Sequence, residues 1–147
     1  MSIIKNIKEK DERLDKIIKQ ILNIKDDNIS FSKDAVSKKK IHGRMANVFT
    51  GVLTYKIDCC PLCGFKNIIR HAYKDSWIQL IPYQEVPTYL HLFKQRFLCK
   101  DCRHTFSANT YYVAENCYIA QPLKFAIAVD LKKKVSMKDI AKSYSVS

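Results

Sequence analysis

Glycine and proline are scarce in this chain, three and four among 147 residues. With 47% hydrophobic residues, this is neither a low-complexity linker nor a disordered composition. No apolar run approaches the roughly 18 residues a membrane-spanning helix needs. The opening "MSIIKNIKEKDERLDK" is too charged for a secretory leader. These absences predict a cytosolic protein without a membrane partner, where thiols stay reduced. Acidic residues are short in number too. Fourteen Asp and Glu face 26 Lys and Arg, a net charge of +12, and most of the excess lies beyond residue 40. A surface so basic points to a polyanion, most often nucleic acid. A chain of this length buries a core without covalent staples, so its six cysteines suggest metal or thiol chemistry rather than a disulfide framework.

Hydrophobic periodicity divides the chain into three parts, an α+β protein. Residues 3–24 read as an amphipathic helix: Ile3, Ile4 and Ile7 begin a stripe that Leu14, Ile17, Ile18, Ile21 and Leu22 continue. This helix suits docking or homo-oligomer formation. Residues 25–44 are polar and read as a connector, closing a first region at 1–44. Residues 45–110 read as a small antiparallel β unit. "VFTGVLTYKI", "NIIRHAY", "SWIQLI" and "TYLHLFKQRFLC" alternate at period two, and Pro82 and Pro87 bracket a turn. Residues 118–147 return to helical spacing. Ile119, Leu123, Ala126, Ile127 and Leu131 share one face, and Ser136 with Asp139 forms a capping box for a second helix from Met137.

Cys60-Pro-Leu-Cys63 and Cys99-Lys-Asp-Cys102 are two C-x-x-C pairs at strand ends. A two-residue gap lets one turn present two sulfurs to a single metal, and two such turns complete a tetrahedron for one structural Zn²⁺. Gly64 suits a knuckle that requires positive φ. The interval from Gly64 to Leu98 exceeds the roughly 15–20 residues of compact two-knuckle sites, so the ribbon is enlarged by its strands. A thiol–disulfide pair is the chemical rival, and His104 is the alternative fourth ligand. Cys59 points away from Cys60 on an extended chain and reads as a packed thiol. Cys117 reads as a small core residue. His91 on a strand face reads as a packed or partly exposed side chain, and His42 and His71 carry no ligand pattern.

At the end of the chain, "VSMKDIAKSYSVS" reads as a capped helix, a turn containing Val146, and Ser147 as the N-cap of a following helix. This is the opening of a helix-turn-helix. Lys132, Lys133, Lys134, Lys138 and Lys142 are candidate phosphate contacts on these helices. Arg96, Lys100 and Arg103 form a second candidate patch beside the knuckle.

The run of "LNIKDDNISF", the "CPLCG" knuckle, "QRFLCKDCRHTF" and "AIAVDLKKKVSMKDIAKSYSVS" resembles the N-terminal region of bacterial insertion-sequence transposases of the ISL-three family. The resemblance spans roughly residues 17–147. It implies that Cys60, Cys63, Cys99 and Cys102 bind zinc and that residues 136–147 begin a helix-turn-helix. It also implies a partner in DNA at transposon ends and a bacterial cytoplasmic setting near the nucleoid. The family's Mg²⁺-dependent acidic-triad domain would follow. The resemblance places no catalytic residue in this stretch, which reads as truncated before that domain and not itself an enzyme. Arg103 stands where the family usually has glycine, which predicts a strained or differently turned second knuckle. The alternative functions are a free-standing zinc-ribbon interaction module and a thiol oxidoreductase.

Overall fold

The computed structural model describes residues 12–114, 117–132 and 137–144. These residues form helix α1 (Glu12–Leu22), strands β1 (Ile29–Ile41), β2 (Arg44–Leu53), β3 (Ile68–Gln79), β4 (Thr88–Cys99) and β5 (Thr105–Ser107), and helices α2 (Gln121–Lys132) and α3 (Met137–Tyr144). The α+β expectation holds. Among the described residues no helix is long and apolar enough to cross a membrane.

The described part of the predicted first helix, α1, buries Ile18 and Leu22 and leaves Ile17 and Ile21 exposed. It ends as a hydrophobic C-cap requires. Asn23 takes φ +55°, the Ile24 N–H donates to the Lys19 carbonyl at 2.9 Å, and Ile24 is buried behind it. Ile3, Ile4 and Ile7 lie outside the described residues.

The polar segment taken as a connector is mostly strand. β1 and β2 form an antiparallel hairpin whose two-residue turn, His42-Gly43, has both residues at positive φ, as a type I′ turn needs. The register slips between Phe31 and Val36, where four residues of β1 oppose one of β2. This irregularity interrupts the alternation that would have marked the strand. α1 braces it: the Asp15 carboxylate, itself buried, accepts the Phe31 N–H at 2.9 Å and pairs with Lys19 at 3.1 Å. Phe31 in turn fills the space beside Gly51, where a Cβ would approach its ring to 2.8 Å.

The sheet is mixed, not wholly antiparallel. Its order is β1-β2-β4-β3, with β5 also paired to β4. β2 and β4 run parallel, from Asn47 opposite Thr88 to Leu53 opposite Lys94. The reason lies in the cysteines. Both strands lead into knuckles, so both run toward the same end of the sheet, and β3 returns between them in sequence. Beyond Lys94, β5 takes the place of β2 along β4. The turn from β3 to β4 is bracketed by Pro82 and Pro87 as expected. Tyr83 and Val86 exchange backbone hydrogen bonds around Gln84 and Glu85, both at positive φ.

One side of the sheet holds the main core, with Ile18 of α1, Ile29 and Phe31 of β1, Leu53 of β2, Ile78 of β3, and Leu90 and Leu92 of β4. Tyr112 joins it and donates its hydroxyl proton to the Leu22 carbonyl at 2.7 Å. Cross-strand neighbours on the opposite side are Trp77 and His91, stacked at 4.0 Å with Lys39 over the indole. β3 carries one extra residue between Arg70 and Tyr73, and Gln95 donates to the Ala72 carbonyl there. Along β4 the buried positions pass from Thr88, Leu90 and Leu92 to Gln95, Phe97 and Cys99. Lys94 and Arg96 then fall at partly exposed positions.

α2 buries Leu123 and α3 buries Ile140. Tyr144 donates to Asp130, tying the helices together, and its carbonyl accepts from Gln79 of β3 at 3.1 Å. α3 is a helix over the described residues Met137–Tyr144, in the segment where the sequence placed one. Ser136, Val146 and Ser147, on which the capping box and the helix-turn-helix depend, lie outside the described residues.

Candidate metal centre

The metal end of the sheet is built from two matching turns. In the first, the Cys60 N–H donates to the Phe65 carbonyl and the Gly64 N–H to the Cys60 carbonyl, both at 2.9 Å. In the second, the Cys99 N–H donates to the His104 carbonyl at 3.0 Å and the Arg103 N–H to the Cys99 carbonyl at 2.9 Å. Gly64 and Arg103 occupy equivalent places, with φ +79° and +62°. Of the two expectations for Arg103, the strained one holds: the turn keeps its shape and arginine adopts the left-handed conformation. The Lys100 N–H donates to the Asn67 carbonyl at 2.9 Å, joining the turns.

The turns bring Cys60, Cys63, Cys99 and Cys102 together, with all four sulfurs within 4.8 Å of one another. Cys60 Sγ lies 3.7 Å from Cys102 Sγ, and Cys63 Sγ 3.5 Å from Cys99 Sγ. A tetrahedron with Zn–S bonds of about 2.3 Å sets its sulfurs about 3.8 Å apart. Two of the separations are close to that spacing and all lie within 4.8 Å, so the four sulfurs are placed to hold one Zn²⁺. None of the cysteines is in a disulfide. Cys60 and Cys99 are buried, and Cys63 and Cys102 partly so.

The turns also aim amides at the sulfurs. The Cys63 and Leu62 amides hold the Cys60 thiol down at about 7, against the opposing effect of burial. The Phe65 amide favours the Cys63 thiolate, but burial and the Cys99, Cys102 and Cys60 sulfurs outweigh it and push the thiol up to about 12. Cys102 is raised as well: the His104 amide favours its thiolate, but burial and Cys99 outweigh it. Four thiols so close cannot all ionise unaided. A dication among them makes all four thiolates, leaves no open coordination position, and couples its binding to folding. The site is one structural Zn²⁺ held by four cysteines.

Cys59 is exposed and outside the cluster, and Cys117 packs against the core. His104 lends its backbone and stacks on Phe106, and its ring is not among the ligands. His42 sits in the hairpin turn, His71 is exposed on β3, and His91 Nε2 meets Asp75 Oδ2 at 3.0 Å. That hydrogen bond holds the Asp75 carboxyl below its ordinary value of 3.8.

Arg96 lies partly exposed on β4, while Lys100 and Arg103 are exposed on the second knuckle. Lys132 is exposed at the end of α2, and Lys138 and Lys142 are exposed one turn apart on α3. Lys133 and Lys134 lie outside the described residues. Sequence reasoning missed Lys74 and Lys94, which share a cleft with Arg96. A parity count along β4 separates Lys94 from the buried Gln95, but only the fold brings β3 and β5 beside it.

Residues 58–102 match the family model for the zinc-finger of transposase IS204/IS1001/IS1096/IS1165. The matched segment begins at the first knuckle and ends on Cys102, so it encloses all four ligands. The chain thus carries a zinc ribbon like that of these transposases, which agrees with the resemblance over this segment. No curated protein and no solved structure matches the chain.

Proposed function

We propose that the chain is a DNA-binding module of an insertion-sequence transposase of the ISL-three kind, acting on transposon ends in the bacterial cytoplasm at the nucleoid. Catalysis belongs to a separate acidic-triad domain. The observation that carries this reading is the closed four-cysteine cage inside the segment that matches the transposase zinc-finger. The net charge of +12 supports it. Arg96, Lys100 and Arg103 form one phosphate-contacting patch. Lys132, Lys133, Lys134, Lys138 and Lys142 form the other, with α3 as the front of a helix-turn-helix. The cage has no open coordination position, so zinc here orders the ribbon and takes no part in strand chemistry.

The test is fluorescence anisotropy with labelled duplex DNA over a salt series. The expected result is binding in the range of about 10⁻⁴–10⁻⁶ M that weakens steeply as salt rises. Affinity for duplex DNA that is absent at low salt sinks the reading. An apolar groove lined by Tyr111, Pro122 and Phe125, with Phe125 73% exposed, favours the second reading, a zinc-ribbon protein-interaction module. Exposed Ile17 and Ile21 on α1 are the surface through which copies of the chain would associate. A dimer that ignores DNA is the result that selects this second reading.

A further inference from the structure

A cleft of about 620 Å³ opens beside the second knuckle, between the far half of β4, β5 and the segment leaving β2. Three cations line it: Lys74, Lys94 and Arg96. Among the described lining residues there is one carboxylate, Asp75, already held by His91. Arg96 is poorly satisfied. Its Nη2 reaches Thr105 Oγ1 only at 3.4 Å, and its Nε is buried without a hydrogen-bond partner. With only that long bond, the Nη atoms of Arg96 keep donor capacity, and a phosphate oxygen accepts from such a guanidinium.

The walls are aromatic and fixed from behind. Tyr55 rests on Phe97, and its hydroxyl accepts the Asn109 N–H at 3.0 Å. Phe106 stacks with Phe97 and His104. Tyr118 also lines the cleft and is 65% exposed, an aromatic side chain with free surface. Cations together with an open ring are what a phosphate bearing a base requires, and stacking on such rings tolerates any base. The volume falls within the range of about 300–1,000 Å³ typical of small-ligand sites. A concave cleft of this size admits one nucleotide and not the body of a duplex.

We propose that this cleft takes a single unpaired nucleotide, its phosphate on Arg96 with Lys94 and Lys74 beside it, its base against Tyr118. The proposal rests on the DNA-binding reading and sharpens it: the module favours frayed or single-stranded ends over blunt duplex. The source is either a DNA strand end or a free nucleotide, and the experiment separates the two.

The zinc-loaded 147-residue chain is titrated with a labelled blunt duplex, with the same duplex carrying a short single-stranded overhang, and with dAMP as competitor. The expected result is about tenfold tighter binding of the overhang duplex, in line with one stacked base. Tyr118→Ala, a change at an exposed side chain, abolishes that preference and leaves blunt-duplex affinity unchanged. Arg96→Gln abolishes both the preference and competition by dAMP. Equal affinity of the unmodified chain for the two duplexes overturns the proposal and leaves DNA binding intact. A preference that survives both substitutions also overturns it. Binding of dAMP that depends on Arg96, with no affinity for either duplex, supports the cleft as a free-nucleotide site and overturns the DNA reading alone. Failure to bind dAMP and both duplexes overturns both.

Discussion

Arg103 and Gly64 hold the same place in two turns with the same hydrogen bonds, yet only one of them is suited to it. A side chain in the left-handed region costs about 1–2 kcal/mol, and glycine removes that strain while giving the unfolded chain more freedom. Arg103→Gly is therefore expected to raise stability by about 0.5–1 kcal/mol. Gly64→Ala is expected to cost about 1 kcal/mol, all of it from the backbone, because a Cβ there meets nothing within 4 Å. Denaturant midpoints of the zinc-loaded proteins check both, and a destabilised Arg103→Gly would count against equivalent turns. Gln84 and Glu85 repeat the situation, two non-glycine residues at positive φ in a tight turn. Replacing them with Asn-Gly, the pair that type I′ geometry prefers, is expected to add about 1–2 kcal/mol in the same assay. The knuckles were legible from spacing because metal chemistry is local: two residues between cysteines, whatever the fold. The strain at Arg103 was legible from the family resemblance, in which glycine usually follows the second knuckle.

Among the elements, α1 and β1 depend on one buried carboxylate. Asp15 accepts the Phe31 N–H where the hairpin register slips. Asp15→Ala leaves that donor buried without a partner and is expected to cost about 1–3 kcal/mol. Lys19→Ala removes only the ion pair and should cost less, so the ratio of the two losses in thermal or urea unfolding tests which bond matters. β1 itself was not legible. Four residues opposite one destroy period-two alternation, and the Lys38–Lys40 run gives no apolar beat, so "SFSKDAVSKKKI" reads as a polar connector. The His42-Gly43 turn was the available signal. The parallel pairing of β2 with β4 was also missed, though the cysteines carried the clue. Two adjacent strands that each deliver a knuckle to one metal point the same way. The cleft was beyond sequence reasoning, because Tyr55, Lys74, Arg96 and Tyr118 converge only once the sheet is assembled.

For the whole molecule, zinc is expected at one equivalent per chain by atomic absorption of the purified protein. Strong chelators, or Cys60→Ser or Cys99→Ser, are expected to strip the metal and unfold the knuckle end, since binding and folding are coupled there. Cys59→Ser serves as the control, because this exposed thiol lies outside the cluster. Its stability should stay within about 0.5 kcal/mol of the parent. Zinc loss on Cys59→Ser with retention on Cys60→Ser would reverse the assignment of the first ligand.

The parallel course of β2 and β4 toward the metal has a kinetic consequence. Pairing strands separated by the long excursion from Cys60 through β3 requires closing a large loop, and non-local pairings of this type are slow to nucleate. Zinc captured early by both knuckles would draw the two strand ends together before a ladder forms. The remaining pairing then proceeds from the metal outward, as a short-range closure. Refolding of the reduced chain is accordingly expected to speed up when zinc is present from the start, compared with zinc added after dilution from denaturant. Stopped-flow fluorescence of Trp77, which reports on β3 beside β4, measures this directly; identical rates in the two orders of addition would show that the metal arrives only after the sheet is made.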